Sequence, residues 1–193
     1  MVTFEDPALQ KLPLQAIQEA KELTLRGCFS LKQQEFDALQ ECTLITQLTI
    51  DYSNELENLN FLRHMPQLKK LVLTRISGLK DLTPLTSLIN LTYLDLASSG
   101  ETSIFDFSPL SSLHKLQHLD LTNMMLLRSL DFAAPLTQLT FLSLNYCHNL
   151  EDVAALEHLP HLTTLLTNGC VHSDEAIAHF LQRHNNESMR RVI

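Results

Sequence analysis

Cysteine and histidine lie close together twice in the chain, in the segments YCHN (146–149) and GCVHS (169–173). Thiolates and imidazoles are ligands of tetrahedral zinc sites, so two such segments brought side by side could bind a metal ion. The same cysteines could pair as a disulfide, or each thiol could satisfy backbone groups of its own loop. The last interpretation is favoured, because Cys147 and Cys170 are 23 residues apart and occupy one position of a repeated pattern.

A row of aspartates is the second candidate for metal chemistry, since calcium is bound by oxygen ligands. Four of them recur before short segments that carry proline or alanine: Asp81, Asp106, Asp131 and Asp152. A carboxylate that caps the first N–H groups of a turn explains these positions without an ion. We therefore predict turn caps, and neither a metal nor any other cofactor.

Composition and motifs exclude several function classes. The sequence contains no G-x-S-x-G, no glycine-rich phosphate loop and no H-E-x-x-H, which are signatures of catalysis. A formal charge of −8 and a pI near 5.5 disfavour nucleic acid as a partner, because binding to phosphates depends on basic groups. No apolar run approaches the roughly 18 residues that a membrane span needs.

The compartment is predicted from the N-terminus and the cysteines. MVTFEDPALQKL lacks the basic and then apolar regions of a classical secretory leader. Cys28, Cys42, Cys147 and Cys170 are interpreted as reduced thiols, since a leucine-rich core needs no disulfide. Both features favour the cytoplasm.

Leucine spacing indicates which elements position all of these residues. The chain has 41 leucines in 193 residues, and many fall in the phrase L-x-L or a close variant. The first leucine of each pair lies at 23, 48, 71, 94, 119, 142 and 165, at steps of 25, 23, 23, 25, 23 and 23 residues. A nearly constant period of this size is typical of a solenoid.

Each pair predicts a short strand, because alternating side chains send both leucines inward and the residue between them outward. One copy cannot bury its own leucines, so successive strands must stack in parallel. The result is an α/β solenoid of about seven repeats.

The pattern resembles the leucine-rich repeat, L-x-x-L-x-L-x-x-N/C-x-L, over roughly residues 20 to 185. The central copies DLTPL (81–85), DFSPL (106–110) and DFAAPL (131–136) look like internalin-type repeats. The outer copies SLKQQEFDALQ (30–40) and SDEAIAHFLQRH (173–184) begin with serine, read as a helix cap, and are similar to cysteine-containing eukaryotic repeats. The resemblance implies a right-handed solenoid with its parallel sheet on the concave face and short helices or 3₁₀ turns on the convex face.

Three segments follow from this reading. Residues 1–20 are predicted to form an N-terminal helical cap that covers the first strand. Residues 21–185 form the solenoid, including a C-terminal capping helix, and residues 186–193 form a tail of unassigned structure.

The outward positions of the strands are the candidate binding surface. Tyr93, His118 and Phe141 form one column, beside a column of Asp95 and Asp120. Exposed aromatic residues commonly anchor interfaces, and paired carboxylates select a basic partner, although rings on a sheet also pack across strands. The predicted partner-binding residues are Tyr52, Arg75, Tyr93, Asp95, His118, Asp120, Phe141 and Tyr146.

The predicted function is a non-enzymatic, monomeric scaffold that holds a protein or peptide, with a basic segment, on the concave sheet. The repeats leave no room for a separate catalytic domain, and no nucleic acid or membrane span is expected. The mixture of repeat types looks like a bacterial effector, a virulence protein secreted into the host cytosol by a leaderless specialised system. The alternatives are an internalin-like surface adhesion domain and an intracellular regulatory subunit of the phosphatase or ubiquitin-ligase adaptor type.

Overall fold

In the computed structural model of the chain, the described residues form a parallel sheet of nine strands that are hydrogen-bonded in sequence order. The structure describes residues 1–76, 78–97, 103–183 and 190–192. The strands are β1 (Val2–Phe4), β2 (Glu22–Arg26), β3 (Gln47–Ser53), β4 (Lys70–Ile76), β5 (Tyr93–Asp95), β6 (His118–Asp120), β7 (Phe141–Ser143), β8 (Thr164–Leu166) and β9 (Arg190–Val192).

Equivalent repeat positions lie opposite each other in this sheet. Leu94, for example, pairs with Leu71 on one side and Leu119 on the other. The first leucine of every pair, from Leu23 to Leu165, is at most 1% exposed. The predicted solenoid, with its leucines stacked inside and a parallel sheet on the concave face, is confirmed.

The convex face contains short 3₁₀ turns in the middle of the chain and fuller helices towards its ends, as predicted. The turns are Asn60–His64, Thr83–Ser87, Ser108–Ser112, Asp131–Ala133 and Ala154–His158. A single helical turn, α1 (Leu14–Ile17), precedes the first repeat. The outer repeats contain α2 (Gln33–Asp37), which continues into a 3₁₀ turn at Ala38–Glu41, and α3 (Asp174–Arg183). Among the described residues no helix is long and apolar enough to cross a membrane.

Three of the four predicted aspartate caps are present. The carboxylate accepts the N–H two residues further on, at 2.7 Å for Asp81, 2.9 Å for Asp106 and 2.9 Å for Asp152. Asp131 is not a cap, because the hydroxyl of Ser129 accepts the N–H of Asp131 itself at 3.1 Å. DFAAPL is one residue longer than DLTPL, so Ser129 takes the position that aspartate holds elsewhere.

The serine cap predicted at Ser30 is wrong, because α2 begins at Gln33 and Lys32 takes its N-cap position. Ser173 directly precedes α3, and its carbonyl accepts the N–H of Ile177 at 2.9 Å. The hydroxyl of Ser30 donates to the carbonyl of Pro7 at 2.8 Å, and that of Ser173 donates to the carbonyl of Cys170 at 3.4 Å. In both places the serine ties the start of the convex segment to neighbouring backbone. Residue 184, at the end of the second predicted helix, lies outside the described residues.

The N-terminal segment differs from the purely helical cap predicted for residues 1–20. It contains the four-residue helix α1, but it begins with β1, which pairs in parallel with β2. Val2 lies opposite Leu23 and Phe4 opposite Leu25, so V-x-F takes the place of L-x-L. Branched and aromatic residues favour strands, and this strand covers the edge of β2.

At the other end, β9 adds a strand within the predicted tail and pairs with β8. Residues 186–189 and 193 of that tail lie outside the described residues. The boundaries of the three segments stay a prediction.

One inward position breaks the leucine pattern and predicts a stabilising substitution. Thr167 follows β8 where six earlier copies place leucine or isoleucine, and it is 1% exposed. Its hydroxyl has no hydrogen-bond partner among the described residues. Burying an unpaired hydroxyl costs free energy, so Thr167→Val, which keeps the side-chain shape, should raise the free energy of unfolding by about 1 kcal/mol in urea denaturation.

Ser173→Ala is the matched control, because the hydroxyl of Ser173 is also buried but donates to a carbonyl. Its loss should lower the free energy of unfolding by about 1 kcal/mol. Two changes of the same sign would show that hydrogen bonding does not distinguish these sites.

Candidate functional site

The centre of the concave face carries a stack of three rings, Tyr93, His118 and Phe141, here named the aromatic ladder. They lie on β5, β6 and β7 at directly paired positions. The ring centroids of Tyr93 and His118 are 4.0 Å apart with planes at 6°, and those of His118 and Phe141 have the same distance and angle. Parallel strands are about 4.8 Å apart, so neighbouring rings at equivalent positions reach face-to-face contact.

Face-to-face stacking decides what the aromatic ladder presents to solvent. The faces of His118 are covered on both sides, and the outer face of Tyr93 is covered by Lys70, whose Nζ lies 4.5 Å from the ring centroid. The ring edges therefore point away from the sheet, and all three side chains are half-buried. The rings therefore pack across neighbouring strands, which was the alternative to their standing as separate exposed anchors.

Beside the aromatic ladder lie two carboxylates, Asp95 and Asp120, here named the acid pair. They are directly opposite each other on β5 and β6. One oxygen of each accepts a backbone N–H two residues on, from Ala97 at 2.9 Å and from Thr122 at 2.8 Å. These bonds fix the carboxylates at the ends of their strands, although like charges in such positions destabilise a sheet.

The environment of the acid pair perturbs the pKa of Asp95. Burial raises the pKa of this carboxyl, and the negative charges of Asp120 and Asp51 raise it further. The hydrogen bond from Ala97 and the charge of Lys70 oppose the rise without cancelling it. The ionised form of Asp95 is thus held at a cost that a nearby cation would reduce.

The aromatic ladder is also electrostatically coupled to the acid pair. Burial and the charges of Asp95 and Asp120 raise the pKa of Tyr93, so its phenol stays protonated. Burial lowers the pKa of His118, and Lys70 adds to this, while Asp120 acts in the opposite direction. At neutral pH the stack is therefore uncharged, and it lies beside the acid pair.

A second feature runs along the edge where the strands end, here named the left-handed column. Its members have positive φ angles: Gly27 (61°), Tyr52 (63°), Arg75 (57°), Asn123 (64°), Tyr146 (60°) and Gly169 (81°). The N–H groups of Gly27, Arg75 and Tyr146 donate to carbonyls of the next repeat at 2.9, 3.2 and 2.6 Å. The positive φ angle turns the chain away from the strand direction, while backbone hydrogen bonds to the next repeat are kept.

Glycine and asparagine adopt this conformation readily, whereas tyrosine and arginine adopt it only at a cost in free energy. Each of Tyr52, Arg75 and Tyr146 costs about 1–2 kcal/mol relative to an unstrained backbone. Strain of this kind persists where a side chain is held by its surroundings, and it concentrates at functional sites.

Tyr52 and Arg75 belong to one contact cluster. The ring of Tyr52 meets Phe29 edge to face at 4.8 Å, and the guanidinium of Arg75 lies 5.1 Å from the Tyr52 centroid. Nε of Arg75 donates to Oδ1 of Asp51 at 3.0 Å, and the hydroxyl of Thr74 donates to the same oxygen at 2.6 Å. Burial would raise the pKa of Asp51, but these hydrogen bonds and the cationic neighbours lower it instead.

The structure thus divides the eight predicted site residues into three places. Tyr93, His118 and Phe141 join the adjacent acid pair at the centre of the sheet. Tyr52 and Arg75 contact each other near its N-terminal end. Tyr146, 47% exposed, lies on the left-handed column beside His148 and Gly169.

Sequence reasoning missed Lys70 and Phe29 as site residues. Lys70 was recognisable as the outward residue that precedes Tyr93 by one 23-residue step. Phe29 follows β2 outside any strand, so strand alternation gave no signal for it.

No grouping of three or more His, Cys, Asp or Glu side chains suited to a metal exists in the described part of the chain. The thiol of Cys147 donates to the carbonyl of Leu121 at 3.2 Å, and that of Cys170 donates to Leu144 at 2.9 Å. Burial raises the pKa of Cys147 to about 12, which disfavours the thiolate a metal would need. All four cysteines are free thiols, and these two satisfy loop carbonyls as favoured from the sequence.

No protein-family model and no curated protein matches the sequence. Similar solved structures include an internalin from Listeria monocytogenes, at 21% identity over 81% of this chain and 43% of that chain, with a TM-score of 0.65. A leucine-rich repeat protein from Leptospira interrogans matches at 17% identity over 95% and 52%, with a TM-score of 0.69. The leucine-rich repeat domain of the type III effector XopL matches at 19% identity over 96% and 73%, with a TM-score of 0.62.

The fold defined by the sheet and these comparisons is a leucine-rich repeat solenoid. The identities are low, so the likeness establishes the fold and leaves partners and activity to the site itself. The chain spans about half the length of the first two structures named.

Proposed function

We propose that this chain is a non-enzymatic, monomeric scaffold that binds a protein or peptide on its concave face. The observation that carries the proposal is the acid pair beside the aromatic ladder. Asp95 and Asp120 are held opposite each other by backbone hydrogen bonds, so their repulsion is built into the sheet. A cation supplied by a partner would relieve that repulsion, which makes a lysine or arginine the group that the site fits best.

The aromatic ladder has a different part in this proposal. Because its ring faces are largely covered, it offers a rigid wall of ring edges beside the carboxylates rather than separate pockets. Rigidity reduces the conformational entropy lost on binding. The wall would thus orient the aliphatic part of a basic side chain whose charged end meets the acid pair.

The test is a comparison of Asp95→Asn/Asp120→Asn with the wild type. Peptides selected from a random display library on the wild type should be enriched in arginine or lysine. The double variant should bind them about tenfold to a hundredfold more weakly, since two charge pairs are lost. Asparagine retains an oxygen that can accept the backbone N–H, so the unfolding transition should not fall.

The matched control is Asp6→Asn/Asp81→Asn, which removes the same charge from two exposed carboxylates that also accept a backbone N–H two residues on but belong to neither proposed binding surface. It should leave peptide affinity within about twofold of wild type, because exposed distant charges are screened by salt. Equal affinity of wild type and the acid-pair variant for the selected peptides would rule out this site.

Affinity for a basic peptide should also fall as the pH is lowered from 7 to 5. A bound cation lowers the raised pKa of Asp95, so binding releases a proton, and excess protons compete with the peptide. Protonation of His118, which sets in below its ordinary range, acts in the same direction by placing a positive charge beside the peptide. Isothermal titration calorimetry in buffers of different ionisation enthalpy measures this proton release, and proton uptake on binding would contradict the assignment.

For the biological setting we propose delivery of the chain into a host cell as an effector. Support comes from the combination of internalin-like central turns with helical outer repeats, and from the fold likeness to a domain of a protein described as a type III effector. The likeness to internalins supports surface adhesion as the second candidate. Finding a tagged chain in the host cytosol, rather than on the bacterial surface, would favour delivery.

A further inference from the structure

On the convex flank, away from the concave face, a groove opens between two successive repeats. Its volume is about 520 Å³, and its apolar lining includes Phe105, Phe107, Leu126 and Phe132. Phe105 is 75% exposed and Leu126 44% exposed, whereas Phe107 and Phe132 are buried and stack at 5.9 Å beneath them. A phenylalanine this exposed, above a floor of buried rings, marks a surface that gains free energy when covered.

The groove lining also contains a residue, Ser129, whose extended backbone is hydrogen-bonded to a neighbouring repeat on one side only. Ser129 forms a parallel bridge with Asp152 of the next repeat. In that bridge the carbonyl of Arg128 accepts the N–H of Asp152 at 3.0 Å, and the N–H of Leu130 donates to the carbonyl of Asp152 at 3.0 Å. Backbone groups alternate along a strand, so the N–H and carbonyl of Ser129 point the opposite way, towards the groove.

Neither of these two backbone groups of Ser129 is hydrogen-bonded to any part of the chain that the structure describes. Ser129 lines the groove and is half-buried, so its free donor and acceptor lie at an apolar surface. Open strand edges of this kind accept a further strand from a partner.

The charges around the groove select the partner. Asp131 lines it, and Asp106 is exposed beside Phe105. Arg128, the only cation among the described residues of the lining, is paired with Glu151 at 3.2 Å. The rim is therefore acidic once that pair is counted as neutral, which matches the formal charge of −8 on the chain. Positive groups on a bound segment would be attracted here.

We propose that this groove binds an extended segment of a partner protein by strand addition to Ser129. An apolar side chain of the segment fills the space above Phe107 and Phe132. Basic side chains two positions to either side, on the same face of the added strand, meet Asp106 and Asp131. This surface is separate from the concave face, so either proposal can fail without the other.

The test is an NMR titration of the ¹⁵N-labelled full chain in the Asp95→Asn/Asp120→Asn background, which removes the acid pair as a competing site. The probe is the capped pentapeptide Lys-Ser-Leu-Ser-Lys. The amide of Ser129 should shift in a saturable manner, with a dissociation constant of about 1 mM as expected for a few contacts. The same peptide with its three central amides N-methylated should bind at least about tenfold more weakly, because it cannot complete the strand pairing.

Three further comparisons make the result decisive. Glu-Ser-Leu-Ser-Glu should bind more weakly than the basic peptide. Phe105→Ser/Leu126→Ser should weaken binding by about tenfold, whereas Ile89→Ser, which changes an apolar residue 57% exposed elsewhere, should not. All three positions are exposed, so an unchanged spectrum away from the groove verifies the fold.

Equal binding of the N-methylated and unmodified peptides would overturn strand addition. So would the absence of a saturable shift at Ser129. A shift of this amide on concentrating the protein without peptide would assign the groove to a second copy of the chain, and would equally overturn the proposal.

Discussion

Replacing Leu119 by alanine should lower the free energy of unfolding by about 3–5 kcal/mol. Leu119 is 0% exposed at the middle of the sheet and pairs with Leu94 and Leu142 on either side. Truncation removes buried apolar contacts and leaves a cavity that the stacked strands cannot close, because each strand is held by two neighbours. Urea denaturation followed by circular dichroism measures the change.

Leu126→Ala is the control for this measurement, since it removes the same atoms from a side chain that is 44% exposed. It should cost less than about 1 kcal/mol. Similar losses for the two variants would mean that the interior of the solenoid is not close-packed around Leu119.

Gly169→Ala should lower the free energy of unfolding by about 2 kcal/mol. Gly169 has φ of +81°, a region in which a Cβ atom costs about 1–2 kcal/mol. A Cβ there would also lie 2.9 Å from Cδ1 of Tyr146 and 3.4 Å from the ring of His148, so the Tyr146 ring must move. Thermal and urea unfolding give the stability change, and the chemical shifts of the Tyr146 ring report its displacement.

Gly27→Ala separates the two causes. Gly27 occupies the equivalent position with φ of +61°, but the nearest atom to an added Cβ is a ring carbon of Phe29 at 3.7 Å. This variant should cost only the backbone strain, about 1 kcal/mol. If Gly27→Ala costs as much as Gly169→Ala, crowding by Tyr146 has no part in the effect.

The left-handed column shows a limit of sequence reasoning about sites. Tyr52, Arg75 and Tyr146 were predicted to bind a partner because they fall at outward positions of the strands. The structure adds that their backbone is strained, which is visible only when φ is known. Gly27 and Gly169 at equivalent positions gave a hint in the sequence, since glycine recurs where left-handed residues are needed.

The N-terminal segment shows a limit of reasoning from leucine alone. V-T-F fills the inward positions of one more strand, but it does not match L-x-L because neither inward residue is leucine. The physical requirement is an apolar, strand-favouring side chain at alternate positions, and valine and phenylalanine meet it as well. Spacing relative to Leu23, at 21 residues, was the available signal.

The architecture was readable from residue order because its cause is local and repeated: one strand per period, with alternation that buries both leucines. Parallel register then follows, since any slip would bring a leucine to the solvent side. The state of the concave centre was not readable in this way. The aromatic ladder could have consisted of separate anchors, but in the structure its rings stack and Lys70 covers one end. This outcome depends on side-chain rotamers that neighbouring strands set together. The groove at Ser129 was not readable from the sequence either. It lies between convex segments of successive repeats, and which backbone groups pair there depends on how the repeats stack.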